Sequence, residues 1–383
     1  MKTNINIPFG LPIIGNEEKK RVSSVLNGTQ LVHGPMALEF ENNFCNFVNG
    51  GYAVSLNSCT AGLHLSYLTL GLGPGDEVII PAQSHVATAH AVEYTGAKPV
   101  FVDVEIDTGN ICLERLENAI TSSTKAIGIV HFAGLPVKMD EIKKLAKKNN
   151  LSIVEDAALA LGAKYKGTSV GLLGDTSSFS FYPVKHITTL EGGMLLTKDE
   201  DFSKKIRRMR AFGYDKMVGE RSVPGLYDVD MLGYNFRMNE IQAAIGIEQL
   251  KKLNGFLKKR NNNSSFLRRE LKQIDEIICL SEGTEDLIHA NYCLIIILDN
   301  SIASSRAEII NKLKENGIGT SIYYPGPIPN FKYYREKYKL RNLHFPNAKR
   351  ISDKSIALPV GPHVDEDDLI YISDKLKEII VRL

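Results

Sequence analysis

One lysine has a sequence environment that suits covalent chemistry. Lys185 lies in an apolar and aromatic stretch, between Phe179 and Thr189, that is closed by Gly192 and Gly193. A lysine is ordinarily a solvated surface charge, but in such a stretch it loses solvation, which lowers the pKa of its amine. A neutral amine is the nucleophile that forms an imine with a carbonyl compound. Lys185 is therefore the first candidate for a catalytic residue.

An acid provides the second signal. Asp156 ends an apolar, strand-like run, and ligands of open α/β sheets bind at the carboxyl ends of the strands. The simpler interpretation is that Asp156 caps the next turn. If the carboxylate instead faces a protonated ring nitrogen, the pair contributes about 4 kcal/mol at about 4 Å and an effective dielectric of about 20. Such a pair keeps a heterocyclic cofactor electron-withdrawing.

A run of small residues from Asn57 to Gly62, which includes Cys59 and Thr60, lies between a predicted strand and a predicted helix. The exposed N–H groups and the dipole of a helix N-terminus suit a phosphate. Many strand-to-helix turns look similar, so this segment indicates a phosphate site only in combination with Lys185 and Asp156. Ser180, five residues before the lysine, offers a hydroxyl to the same phosphate.

Composition and charge argue against two classes of partner. The chain has 383 residues, of which 43% are hydrophobic and 23% charged, as in an ordinary globular protein. Its 46 basic and 44 acidic side chains leave a formal charge of only +2. This balance argues against nucleic acid or an anionic membrane as the main partner.

The cysteines and the N-terminus predict a cytoplasmic protein. The 5 cysteines are odd in number and scattered, and they form no Cys/His metal spacing. We therefore expect free thiols in a reduced compartment and no metal site. The first ten residues do not resemble a secretory signal, and the most hydrophobic run, 292–298, is too short to span a bilayer.

The pattern of elements predicts an α/β fold. Short apolar runs alternate with helical patterns from residue 52 onward, and two more strand patterns flank Lys185. The predicted strands are 52–56, 77–80, 99–104, 126–131, 151–155, 176–181 and 193–197, and the predicted helices between them are 60–70, 87–94, 112–120 and 139–149. Repeated units of this kind indicate a mostly parallel sheet with helices on both faces.

The order of elements changes in the last third of the chain. A long helical pattern runs from 238 to 274, with a possible break at Gly255. It is followed by strands at 291–298 and 320–324 and by helices at 305–316 and 365–381. We predict a large domain over residues 1–250, with the N-terminal segment, and a smaller C-terminal α+β domain over residues 251–383.

Beyond these signals the sequence resembles the DegT/StrS sugar aminotransferases, which have the aspartate aminotransferase fold (fold type I). The resemblance covers nearly the whole chain. Its most specific parts are the lysine segment and the run Gly-Tyr-Asn-Phe-Arg-Met at 233–238. Further matches are Pro-Ile-Ile-Gly at 12–15, Gly-Pro-Gly-Asp-Glu-Val-Ile at 73–79, Thr-Gly-Ala-Lys-Pro-Val-Phe-Val-Asp at 95–103 and Leu-Pro at 358–359.

The resemblance implies roles for individual residues around pyridoxal 5′-phosphate. Lys185 is the lysine that forms the Schiff base and moves a proton between substrate and cofactor, and Asp156 pairs with the ring nitrogen. His85 takes the place of an aromatic ring stacked on the cofactor. Asn235 matches an asparagine that reaches the phosphate in the neighbouring subunit, which implies a homodimer with shared active sites. Three residues fall where the family binds the phosphate: Cys59, Thr60 and Ser180.

Several positions depart from the family pattern. Leu159 stands where Gln or His usually contacts the ring hydroxyl of the cofactor, and the loss of such a hydrogen bond costs about 1 kcal/mol. His85 replaces a larger aromatic ring, Tyr323 replaces a frequent histidine before Tyr324, and Phe212 replaces another frequent histidine. These changes bear on the substrate more than on the cofactor.

The leading interpretation is amino transfer from L-glutamate to a nucleotide-linked keto-sugar, for surface polysaccharide or a glycosylated metabolite. A smaller ketone without a nucleotide is the alternative acceptor. A sugar 3-dehydratase of the same family would carry histidine in place of Lys185. A non-catalytic cofactor-binding sensor would need neither Lys185 nor Asp156.

Overall fold

The computed structural model describes residues 5–216, 221–339 and 344–383. The α-helices in these ranges are α1 (Asn16–Leu26), α2 (Pro35–Val48), α3 (Cys59–Thr69), α4 (Val86–Glu93), α5 (Leu113–Asn118), α6 (Met139–Asn149), α7 (Glu200–Met209), α8 (Glu240–Leu271), α9 (Arg306–Glu315), α10 (Lys332–Lys337), α11 (Pro346–Lys354) and α12 (Glu366–Val381).

The β-strands in the same ranges are β1 (Tyr52–Leu56), β2 (Glu77–Pro81), β3 (Lys98–Val102), β4 (Thr124–Val130), β5 (Ser152–Asp156), β6 (Lys164–Tyr165), β7 (Thr168–Ser169), β8 (Thr176–Ser180), β9 (Gly193–Thr197), β10 (Ile277–Cys279), β11 (Leu287–Ile288), β12 (Leu294–Leu298) and β13 (Ser355–Leu358).

Seven strands form the central sheet, in the order β1-β9-β8-β5-β4-β2-β3. Strand β9 is antiparallel to both of its neighbours, whereas β8, β5, β4, β2 and β3 pair in parallel. Strand β1 therefore also runs in the direction of β8, and the carboxyl ends of six strands meet at one edge. This confirms the predicted α/β fold with a mostly parallel sheet.

Apolar side chains cover both faces of this sheet, as expected for parallel strands. On one face the rings of Phe40 and Phe44 from α2 pack on Phe181 and Phe179, with centroids 5.2 and 5.0 Å apart. On the other face Leu63 and Tyr67 of α3 are almost fully buried. The segment that carries Lys185 thus leaves a strand anchored on both faces.

Helix α8 continues for 32 residues without the predicted break. A side chain at Gly255 would meet open space, so this glycine lies on a free surface of the helix and does not interrupt it. Beyond α8, strands β10, β12 and β13 form a three-stranded antiparallel sheet. Its core also takes in Ile7, which pairs with Ile318, so the N-terminal segment contacts this second sheet.

Most predicted elements lie within two or three residues of the observed ones, and 52–56, 139–149 and 193–197 match in full. The strand predicted at 320–324 is wrong, since only Ser321 forms a single bridge there, to Ala357. The strand predicted from residue 291 starts only at Leu294, because Asn291 has a left-handed φ of 48°. Helices α1, α2, α7, α10 and α11 were not predicted. No helix in the described ranges is long and apolar enough to cross a membrane.

Candidate active site

A cavity of about 590 Å³ opens at the edge where the parallel strands end. Six of the seven site residues proposed from the sequence line it: Cys59, Thr60, His85, Asp156, Ser180 and Lys185. They come from five separate parts of the chain. The topology explains their meeting, because each follows or ends a strand, or begins the helix after it, at the same edge of the sheet.

Lys185 lies in the loop between β8 and β9, where its backbone N–H donates to the carbonyl of Tyr182 at 2.9 Å. Its Nζ lies 5.1 Å from the centroid of the Tyr292 ring. Burial lowers the pKa of this amine, although the nearby Cys59 and Asp156 oppose the effect. The lysine is thus closer to its neutral, nucleophilic form than a surface lysine.

Asp156 is fixed by two hydrogen bonds and is only 6% exposed. Thr88 Oγ1 donates to Oδ2 at 2.7 Å, and the backbone N–H of Ala158 donates to Oδ1 at 3.2 Å. The Thr88 hydroxyl is itself 2.7 Å from Ser84 Oγ. Asp156 therefore does cap the turn after its strand, as the simpler interpretation held, and the same carboxyl group also lines the cavity.

The start of α3 forms another part of the cavity wall. Ser58 caps this helix by accepting the N–H of Ala61 at 3.1 Å. The N–H groups of the first turn of a helix have no partner within the helix, which leaves those of Cys59 and Thr60 for a ligand. A Cβ at Gly193 would lie 2.3 Å from the carbonyl carbon of Ser58, so only glycine lets β9 pass this turn.

The Cys59 thiol is buried and makes a structural hydrogen bond. It donates to the carbonyl of Ser178 at 3.4 Å, and burial raises its pKa well above the ordinary range. The thiol stays protonated, and Ser178 Oγ donates back to the Cys59 carbonyl at 2.9 Å. This exchange of hydrogen bonds holds the first residue of α3 against β8.

His85 precedes α4 and caps it. Its Nδ1 accepts the N–H of Ala87 at 3.2 Å, so in the neutral ring the proton is on Nε2. Burial lowers the pKa of this imidazole, with Asp156 opposing, and we assign the neutral form. The ring stands edge-on to Tyr324, with centroids 5.8 Å apart.

Asn235 is the one proposed site residue that lies outside this cavity. It is exposed, and its carbonyl accepts from Asn57 Nδ2 at 3.5 Å. Leu159 lines the cavity and is 3% exposed, so an apolar side chain does occupy the position where the family usually has Gln or His.

Three residues of the site were not found from the sequence. Thr88 orients Asp156, Tyr292 lies beneath Lys185, and Gln83 donates from Nε2 to the carbonyl of Tyr323 at 2.8 Å. The spacing of Thr88, three residues after His85 and so one helical turn on, was a usable signal. Gln83 and Tyr292 carried none, because their partners are 240 and 31 residues away in the chain.

The fold and the site define a class of protein. The large, mostly parallel sheet, with a lysine and an aspartate in one cavity at its edge, matches the pyridoxal-phosphate-dependent sugar aminotransferases of fold type I. The chain belongs to the DegT/DnrJ/EryC1/StrS aminotransferase family, whose sequence pattern matches residues 12–377. It is therefore an aminotransferase of sugar-modifying type.

Two curated relatives and one solved structure illustrate the family. The spore coat polysaccharide biosynthesis protein SpsC of Bacillus subtilis is 37% identical, over 99% of this chain and 98% of its own length. The GDP-perosamine synthase of Escherichia coli O157:H7 is 35% identical, over 97% and 98%. The Helicobacter pylori aminotransferase PseC, involved in the biosynthesis of pseudoaminic acid, superposes with a TM-score of 0.93 at 30% identity, over 99% and 100%.

Proposed function

We propose that this protein moves the amino group of L-glutamate onto a nucleotide-linked keto-sugar, with pyridoxal 5′-phosphate as its cofactor. The observation that carries the proposal is the placement of the Lys185 amine, its pKa lowered by burial, in the same cavity as the fixed carboxylate of Asp156. The names of the relatives support a sugar substrate: one makes GDP-perosamine and another acts in the biosynthesis of pseudoaminic acid.

The residues present fit this cofactor. The cavity of about 590 Å³ is within the usual range for a cofactor site. The first turn of α3 offers N–H groups, and Thr60 and Ser180 offer hydroxyls, to a phosphate. Lys185 and Asp156 would hold the aldehyde and the ring nitrogen, and His85 a face of the ring. When bound, the cofactor supplies a carbonyl carbon and a ring that accepts electron density.

Three side chains of the protein then have separate roles in the reaction: Lys185, Asp156 and Tyr324. Lys185, whose pKa burial lowers, would take a proton from the substrate and return it one step later. The side chain of Asp156 is fixed in position in the site, because Thr88 and Ala158 hold its two oxygens. The buried and neutral Tyr324, whose pKa is raised well above its ordinary value by burial and by Asp156, helps to exclude water.

We also infer that the active unit is a homodimer. Among the described residues that line the cavity, Lys185 is the one lysine or arginine, and the chemistry needs its amine. The carboxylates of glutamate and the phosphates of a nucleotide need further cations or donors. The exposed Asn235 and its neighbour Arg237 lie outside their own cavity. The exposed Asn235 is available to complete the site of a second copy, as the family resemblance implies, whereas Arg237 lies over the Phe212 ring and against His33.

We infer a cytoplasmic location. All five cysteines are free thiols, as expected in a reducing compartment.

The test uses the cofactor-loaded protein. Glutamate is added first, and we expect the visible spectrum to change to that of the amine form, with one equivalent of 2-oxoglutarate released. A panel of nucleotide-linked keto-sugars, free keto-sugars and small ketones is then offered, and products are identified by mass spectrometry. The proposal is supported if mass spectrometry finds an amine product from the nucleotide-linked acceptors and from no other member of the panel. If only small ketones are aminated, the proposed acceptor is wrong and a small ketone takes its place. If the spectrum stays unchanged with every amino donor, the whole proposal is refuted.

A further inference from the structure

Two tyrosine hydroxyls form a bonded pair on the wall of the cavity. Tyr292 OH lies 2.7 Å from Tyr323 OH, and the two rings stand at 79° with centroids 5.4 Å apart. Both residues line the cavity. Because the Lys185 Nζ lies 5.1 Å from the centroid of the Tyr292 ring, the pair is next to the amine that does the chemistry.

Both phenols are held by their backbones. The carbonyl of Tyr292 accepts from Nη1 of the buried Arg260 at 2.8 Å. The carbonyl of Tyr323 accepts from Gln83 Nε2 at 2.8 Å, and Gln83 Oε1 in turn accepts from Ser352 Oγ at 2.9 Å. Arg260 and Gln83 therefore position the two tyrosines without bonding to their hydroxyls. The hydroxyls are held in place before a ligand binds, as a preformed recognition element requires.

The ring of Phe9 adds a third side to this arrangement. Its centroid lies 6.4 Å from that of Tyr292 and 5.8 Å from that of Tyr323. Packing of this kind restricts the rotation of both phenols about their side-chain bonds. The two phenols are therefore held in one arrangement at the cavity wall.

The two hydroxyls of the pair share one hydrogen bond, so one of their two O–H groups has no acceptor within the pair. Each phenol has one O–H donor, so in the pair one hydroxyl donates and the other accepts. Burial raises the pKa of both hydroxyls above the ordinary value, so both keep their protons. Within the described part of the chain, neither hydroxyl has a hydrogen bond besides the one they share. One O–H and several lone pairs therefore remain for a ligand.

We propose that this remaining O–H donates to a hydroxyl or carbonyl oxygen of the sugar acceptor, which makes Tyr323 a specificity-determining residue. The inference rests on the proposed function and deepens it. A neutral pair that both donates and accepts matches a sugar hydroxyl, which has the same two capacities. A carboxylate of the amino donor calls for a charged partner instead. The pair thus acts in the second half of the reaction and not in the first.

The test separates the two halves of the reaction. Tyr323→Phe and Tyr292→Phe each remove one hydroxyl and keep the ring. In single-turnover experiments we expect the half-saturating concentration of the keto-sugar to rise about tenfold in either variant, which is about 1.4 kcal/mol. The half-saturating concentration of glutamate should stay within about twofold of the wild-type value. Tyr371→Phe is the matched control, since its hydroxyl bonds to the carbonyl of Asn316 outside the cavity.

Deoxygenated acceptors identify the oxygen that is bound. The wild-type enzyme should bind the analogue that lacks this oxygen about tenfold more weakly than the complete acceptor. Tyr323→Phe should bind the analogue and the complete acceptor with almost the same affinity. Equal weakening of both half-reactions, or equal sensitivity of wild type and variant to every analogue, would overturn the inference. Failure of the wild-type enzyme to aminate any keto-sugar would instead refute the proposed function.

Discussion

Replacement of Asp156 by asparagine removes the charge of the cavity's fixed carboxylate and keeps its size. The local structure tolerates the change. An asparagine oxygen can still accept the N–H of Ala158, and the Thr88 hydroxyl can reverse its direction, because Ser84 Oγ lies 2.7 Å behind it. The loss is therefore mainly electrostatic. An ion pair at about 4 Å and an effective dielectric of about 20 contributes about 4 kcal/mol.

Four kcal/mol corresponds to a rate reduced by about a thousandfold, since about 1.4 kcal/mol is a factor of ten. The assay is the single-turnover release of 2-oxoglutarate from glutamate by protein loaded with cofactor to saturation. Thr88→Val is the companion variant: it removes one hydrogen bond to the carboxylate but not the charge, and we expect about a tenfold loss. If Asp156→Asn keeps more than about a tenth of the wild-type rate, the assignment of Asp156 as the group that sustains catalysis by its charge is refuted.

Three further predictions concern the scaffold of the site. Gly193→Ala should weaken cofactor binding at least about tenfold in an absorbance titration, because its Cβ would lie 2.3 Å from the carbonyl carbon of Ser58 at the start of α3. Glu41→Gln should destabilise the fold by about 3 kcal/mol in urea denaturation, because the buried carboxylate pairs with Arg207 at 2.5 Å and Arg210 at 2.7 Å. Burial raises the pKa of Glu41, but the two arginines outweigh it and the net pKa lies below the ordinary 4.5, so this stabilisation should be complete above pH 4.5 and disappear as the pH falls through the lower, folded-state pKa.

Each of these has its own control and its own contrary result. Gly255→Ala has open space for its Cβ and should stabilise α8 by up to about 1 kcal/mol without touching the cofactor site. Unchanged cofactor affinity in Gly193→Ala would show that the turn after β1 does not bind the phosphate. A stability difference between wild type and Glu41→Gln that is independent of pH would contradict the role given to its charge.

The sequence alone singled out residues that the structure brings together in one cavity. Lys185, Asp156 and the start of α3 were identified separately, and parallel strands bring such residues to one edge whatever lies between them. The alternation of β-branched runs with helical patterns predicted the strands of the large sheet for the same physical reason. Local signals predict the strands themselves, whereas the strand order and the antiparallel placement of β9 depend on contacts between distant segments.

The walls of the site depended on contacts that no local pattern encodes. Tyr323 looked like part of a strand, but its carbonyl is held by Gln83 and its hydroxyl by Tyr292, both distant in the chain. Residues 321–324 therefore line the cavity and do not form a strand. The left-handed Asn291 likewise shortens the strand that follows it, in a way that its apolar neighbours do not reveal.

The central claim is that Lys185 is the residue bonded to the cofactor. The most direct measurement is borohydride reduction of the cofactor-loaded protein, which fixes the lysine–cofactor bond, followed by peptide mapping. We predict that the peptide containing Lys185 carries the added mass and that Lys185→Ala releases no 2-oxoglutarate from glutamate. A label on another lysine, or a Lys185→Ala protein that still converts glutamate at the wild-type rate, would contradict the account.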